Sequence, residues 1–105
     1  MDWQPKSNFV EGQQVCDYRF EKLLGRGSFS EVWRVKHISN GKYYAAKYYD
    51  TQTMKYLSGP SYQKKMACIE NEVEVLTKIK HPNLLECYSR TDYGKGFILI
   101  LQYCD

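Results

Sequence analysis

Three groups of residues in this chain have types and spacings suited to holding an anion. Residues 24–32 read Leu-Gly-Arg-Gly-Ser-Phe-Ser-Glu-Val, and the glycines Gly25 and Gly27 let backbone N–H groups approach a phosphate with no Cβ in the way. Lys47 stands in the run Tyr43-Tyr44-Ala45-Ala46-Lys47-Tyr48-Tyr49. Glu72 lies where Met66, Ile69, Val73, Leu76 and Ile79 recur at spacings of three and four, the signature of an amphipathic helix. At about 100° per residue Glu72 shares the apolar side, whereas Glu70 and Glu74 fall about 160° and 200° away on the wet side. An ionised carboxylate on a packing face is costly unless paired, so a cation from elsewhere should meet Glu72; the alternative is a rim carboxylate that escapes to water. Strand alternation puts Tyr43, Ala45, Lys47 and Tyr49 on one face, which makes Lys47 either that partner or an edge residue that snorkels.

A glycine motif alone is equally the mark of a simple hairpin. The residues after the glycines narrow the choice, because the dinucleotide-binding version needs a helix directly at that point. Here Val32-Trp33-Arg34-Val35-Lys36-His37 is β-branched and aromatic and runs into Asn40-Gly41, a strong hairpin signal. The elements expected to position the site are strands at 18–24, 31–37 and 43–49, a connection over 50–59, and one main helix over about 61–80. Pro60 suits the helix start and His81-Pro82-Asn83 its stop. Two more strands are expected at 84–91 and 97–103, joined by a turn holding Gly94 and Gly96. The fold class is α+β: a five-stranded antiparallel sheet with one main helix after the third strand. Residues 1–17 form a polar N-terminal arm, loose over 1–14, ahead of the folded stretch.

Length and composition exclude several classes. At 105 residues the chain is one domain at most, with a modest core. Its net charge of +3 comes from 15 basic and 12 acidic residues interspersed along the chain, a pattern that does not point to nucleic acid. Cys16, Cys68, Cys87 and Cys104 are far apart with no C-x-x-C pair, which argues for free thiols in a reducing compartment rather than a metal site. The longest apolar run, 97–101, is far too short to span a bilayer, and no leader-like stretch opens the chain. No membrane partner is expected, and the protein reads as cytoplasmic or nuclear.

Taken together, the glycine loop, Ala45-Ala46-Lys47, Glu72 and His81-Pro82-Asn83 resemble the N-terminal, ATP-binding lobe of a eukaryotic-type protein kinase, over about residues 18–105. The resemblance implies ATP and Mg2+ as cofactors and a protein substrate that meets the other lobe. It implies that Leu24, Gly25, Arg26, Gly27, Ser28, Phe29, Ser30, Glu31 and Val32 cover the nucleotide, with Phe29 at the loop tip and Leu24 and Val32 over the adenine. Ala45 leaves the adenine room, Lys47 contacts the α- and β-phosphates, and Glu72 anchors Lys47 once the helix swings inward. Leu101 falls at the gatekeeper position, with Gln102, Tyr103 and Cys104 at the hinge and backbone groups of Gln102 and Cys104 on the adenine edge. Leu76 and Cys87 match two positions of the hydrophobic column that links helix to site, and both serve equally well as core residues.

Two departures from the family pattern stand out. Ser30 replaces the third glycine and costs about 1 kcal/mol if its backbone needs positive φ. The sequence also ends at Asp105 with no His-Arg-Asp loop and no Asp-Phe-Gly, so it holds neither the catalytic base nor the metal ligands of the family. These 105 residues are expected to be inactive alone, with an exposed face at Ala45 and Lys47, and to be either a fragment of a longer kinase of the serine/threonine type or the product of an incompletely read gene. The competing readings are a non-catalytic kinase-like docking module or pseudokinase lobe, and a nucleotide-binding protein of another fold. The intact Lys47 and Glu72 argue against the first, and the strand after Ser30 against the second.

Overall fold

The computed structural model of the chain describes residues 7–27, 29–78 and 87–103, with the side chains of 75–78 and 87–88 left aside. Its elements are β1 (Gln14–Val15), β2 (Tyr18–Arg26), β3 (Ser30–His37), β4 (Tyr43–Tyr49), α1 (Thr51–Ser58), a short 3₁₀ turn (Gly59–Ser61), α2 (Tyr62–Lys78), β5 (Cys87–Tyr93) and β6 (Gly96–Gln102). The strands form one antiparallel sheet in the order β1-β2-β3-β4-β6-β5. Among the described residues the architecture is the expected antiparallel sheet with one main helix, with six strands rather than five. The added strand is β1, a two-residue pairing of Gln14 with Arg19 and Val15 with Tyr18.

The β3–β4 hairpin forms because the chain can reverse at Asn40-Gly41. Gly41 adopts φ +71°, a left-handed conformation that disfavours other residues, and the Asn40 side chain accepts from the Lys42 N–H at 2.8 Å. Alternation along β4 then sorts two cores. Ala46 and Tyr48 join Phe20, Trp33, Val35, Ile98 and Ile100 on one face; Ala45 and Tyr49 join Phe97, Leu99, Leu101 and Val73 on the other. Helix α2 covers the second face with Ile69 and Val73, the periodic residues that its sequence marks out.

Two expectations for the flanking segments are corrected. The connection over 50–59 is largely helical: the Asp50 carboxylate accepts from the Thr53 N–H at 2.9 Å and caps α1, which buries Met54. Nor is the N-terminal arm loose where it is described. Phe9 is only 2% exposed, stacks on Phe20 at 4.3 Å and on Tyr93 at 5.7 Å, and meets Tyr48 edge-on at 5.2 Å. It supplies an aromatic plug to the core on the face opposite α2.

Candidate functional site

Strand register brings the chemistry together. Gly25 pairs with Val32, Val32 with Lys47, and Lys47 with Leu99, so one line across β2, β3, β4 and β6 holds the glycine stretch and the lysine with only Val32 between them. Two residues back along β4, Ala45 pairs with Leu101. Lys47, Ala45, Val32 and Leu101 therefore share the face that α2 covers, with Ala45 and Leu101 buried and Leu24 at the rim, 43% exposed. A shallow cavity of about 40 Å³ lies on the opposite face, between Tyr18, Phe20, Ile98 and Ile100, away from Lys47.

From α2, Glu72 reaches Lys47: Nζ donates to Oε1 at 3.1 Å, with the side chains 25% exposed for Lys47 and 46% for Glu72. Glu72 pairs with the sheet lysine, and it does so from the rim rather than from within the packing face. Burial would by itself lower the Lys47 pKa, but the nearby Tyr49 hydroxyl and Glu72 outweigh it, so the ammonium titrates above the ordinary lysine value. The Lys47 ammonium also lies 5.0 Å from the centre of the Tyr49 ring. Lys47 is a cation fixed in place at the sheet, the form needed to meet a phosphate.

The helix is held to the sheet at a second point. Arg90 of β5 donates from both terminal nitrogens to the two Glu70 oxygens at 3.3 Å each, and its guanidinium lies 4.0 Å over the Phe97 ring. The helical period assigns Glu70 to the wet face; it is half exposed but paired, because β5 comes up against α2 on that side. No local pattern foretells Arg90, since its partner is 20 residues away. Glu72→Gln is expected to loosen the seating of α2 by removing the charge that meets Lys47, and to do so more than Glu74→Gln, two residues on and about 200° around the helix. Amide exchange over residues 62–74 measures both variants, and equal effects would contradict the facing of α2.

In the glycine stretch, the Gly27 N–H donates to the Ser30 carbonyl at 2.9 Å and closes the turn. Ser30 does not take positive φ, which Cys16 alone does among the described non-glycine residues, so the cost attached to Ser30 does not arise. The Phe29 carbonyl accepts from the Asp50 N–H at 2.8 Å, and Lys65 of α2 sits 5.3 Å over the Phe29 ring, which draws the tip toward the helix. Arg26 ends β2 exposed, and Gln102 is exposed at the end of β6, paired with Tyr44. Among the described loop residues, Glu31 has a side chain that goes elsewhere. Strand alternation turns it away from Val32 to the opposite face, where it is 3% exposed and bonded to Ser7, Asn8 and Trp33. Ser28, Cys104 and His81-Pro82-Asn83 lie outside the described residues, as do the side chains of Leu76 and Cys87.

Comparison with known proteins bears on this geometry. A family model described as the protein kinase domain matches residues 18–105. The chain is 34% identical over 90 residues to the serine/threonine-protein kinase ATG1a of Arabidopsis thaliana, covering 86% of this chain and 13% of that protein. It is 32% identical over 93 residues to the serine/threonine-protein kinase PLK4 of Danio rerio, covering 89% of this chain and 9% of that one. Against the carbon catabolite-derepressing protein kinase of Saccharomyces cerevisiae it is 28% identical over 99 residues, covering 94% and 15%. The chain thus spans between about a tenth and a seventh of the length of these relatives. With the kinase-domain match running from the first residue of β2 to the end of the sequence, the chain belongs to the protein kinase family.

Proposed function

We propose that residues 18–105 are the nucleotide-holding lobe of a kinase that phosphorylates protein serine and threonine hydroxyls. The observation that carries this reading is the Lys47–Glu72 bond at 3.1 Å, set on the register line that runs through Gly25 and Val32. The residues fit a nucleoside triphosphate: Lys47 offers a fixed cation to the phosphates, while Val32, Ala45 and Leu101 offer an apolar bed with little bulk for the base. The serine/threonine class follows the names of the relatives. When bound, Mg-ATP supplies the transferable phosphoryl group. Residues 1–105 contain no His-Arg-Asp or Asp-Phe-Gly sequence, so the base and the metal ligands are proposed to come from a second lobe, and these residues alone to transfer no phosphate.

Ala45→Phe tests the adenine assignment. The larger ring would fill the space beside Leu101 and is expected to weaken Mg-ATP binding to the intact polypeptide by more than tenfold. Overpacking at this site should cost about 1–3 kcal/mol of stability, which a thermal melt run alongside will separate from unfolding. Unchanged affinity in a folded variant would place the base elsewhere.

A further inference from the structure

Glu31 is a buried carboxylate on the returning side of the glycine loop, and two of its three partner residues come from outside the stretch that matches the kinase family. Ser7 Oγ and Trp33 Nε1 donate to Oε1, the latter at 3.3 Å; the Asn8 backbone N–H and Nδ2 donate to Oε2 at 2.9 and 2.8 Å. Three of these four bonds come from two successive residues. Ser7 Oγ also accepts from the Phe9 N–H at 3.2 Å, and the Phe9 ring is locked between Phe20 and Tyr93. The segment is therefore fixed at one end by an aromatic plug and at the other by a charge. Burial would raise the Glu31 pKa, but the bonds from Ser7, Asn8 and Trp33 outweigh it and hold the group below the ordinary carboxylate value, as a paired anion.

Glu31 is also tied to the loop through the backbone. It pairs with Arg26 across the turn and with Tyr48 on β4, and its neighbour Ser30 closes the turn by accepting from Gly27. A displacement of Glu31 is a displacement of the loop's returning stem. Its side chain lies on the face away from Lys47, so whatever it does for a nucleotide it does through the backbone.

We propose that Ser7, Asn8 and Phe9 form a strap that sets the position of the glycine loop by gripping Glu31, which makes Ser7, Asn8 and Glu31 positioning residues for nucleotide binding. This rests on the nucleotide reading above. The strap draws on both faces of β3: Val32 looks toward the nucleotide while Glu31 is held from behind. Negative charge at Ser7 reverses the interaction, because two carboxylates then meet where a hydroxyl donated to one.

The test uses the intact polypeptide with wild-type, Ser7→Asp, Ser7→Ala and Ser7→Thr versions, and reads KM for Mg-ATP, kcat, the thermal midpoint and amide exchange over residues 25–32. Losing a bond to a buried carboxylate and adding repulsion should raise KM for Mg-ATP about tenfold in Ser7→Asp, with kcat within twofold. Amide exchange over 25–32 should accelerate in the same variant, a readout independent of activity. Ser7→Ala should show the same changes more weakly, and Ser7→Thr, which keeps the hydroxyl, should restore wild-type behaviour. A KM and an exchange rate within twofold of wild type in folded Ser7→Asp would overturn the strap. So would a loss confined to the thermal midpoint, which marks a structural role only. Faster loop exchange in a protein that binds no Mg-ATP even as wild type would instead overturn the nucleotide reading, and with it the strap's role in nucleotide binding.

Discussion

Lys47→Met in the intact polypeptide should reduce phosphoryl transfer by roughly a hundred- to a thousandfold. That is the scale on which a single preorganised electrostatic group acts on developing charge. Methionine keeps much of the lysine stem and removes the ammonium, so packing against Tyr49 and Val32 is largely retained while the cation is lost. Glu72 then faces an empty position from a rim that is already 46% exposed, and its carboxylate can turn to water. The fold should therefore survive. The loss should appear in kcat more than in KM for Mg-ATP, because a fixed cation contributes most where charge builds up. Lys47→Arg is not a rescue: the planar fork needs a geometry that one Glu72 oxygen at 3.1 Å does not provide. Turnover within threefold of wild type in Lys47→Met would remove Lys47 from the chemistry.

Phe9→Ala should destabilise the fold by about 3–5 kcal/mol, a large part of the roughly 5–15 kcal/mol that holds a small domain together. The ring is 2% exposed and contacts Phe20, Trp33, Tyr48 and Tyr93, so its removal leaves a cavity that rigid neighbours close poorly. Urea unfolding of the intact polypeptide gives the number. Tyr56→Ala, at a side chain 86% exposed on α1, should change stability by less than about 0.5 kcal/mol and serves as the control. A Phe9→Ala cost below about 1 kcal/mol, the size of an ordinary surface or rim effect, would mean that the N-terminal segment is an appendage. A cost in the expected range makes it part of the lobe, although it precedes the family match at residue 18.

The parts of this structure legible in the sequence are those set by short-range periodicity. Period two along residues 43–49 puts Ala45 and Lys47 on one face and Ala46 on the other, and the two cores divide there. Period 3.6 marks α2 and the inward side of Ile69 and Val73. The Lys47–Glu72 pairing is one of the two outcomes the sequence leaves open for a carboxylate beside an apolar stripe, the other being escape to water. Periodicity resolves direction only to within about one residue's 100°, and so it does not show that Glu72 sits at the rim. Helix α1 is hidden because Gly59 and Pro60 dominate the local signal, although the cap from Asp50 to Thr53 is present in the sequence. The strap and the Arg90 clamp are beyond reach for a different reason. Glu31 finds Ser7 and Asn8 from 24 and 23 residues away, and Arg90 finds Glu70 from 20, distances at which no local pattern operates. Phe9 stands beside Val10, which is exposed, in a stretch without periodicity, so nothing local marks it as the buried one until the sheet closes around it.

If Lys47 and Glu72 act as one unit on the glycine-loop face, a double-mutant cycle on single-turnover phosphoryl transfer will show it. With Lys47→Met, Glu72→Gln and the double variant measured in the intact polypeptide, the pairing predicts that the double variant is no slower than Lys47→Met alone, because Glu72 has nothing left to position. If the two losses multiply instead, the residues work independently, and the 3.1 Å bond between them is not what organises the site.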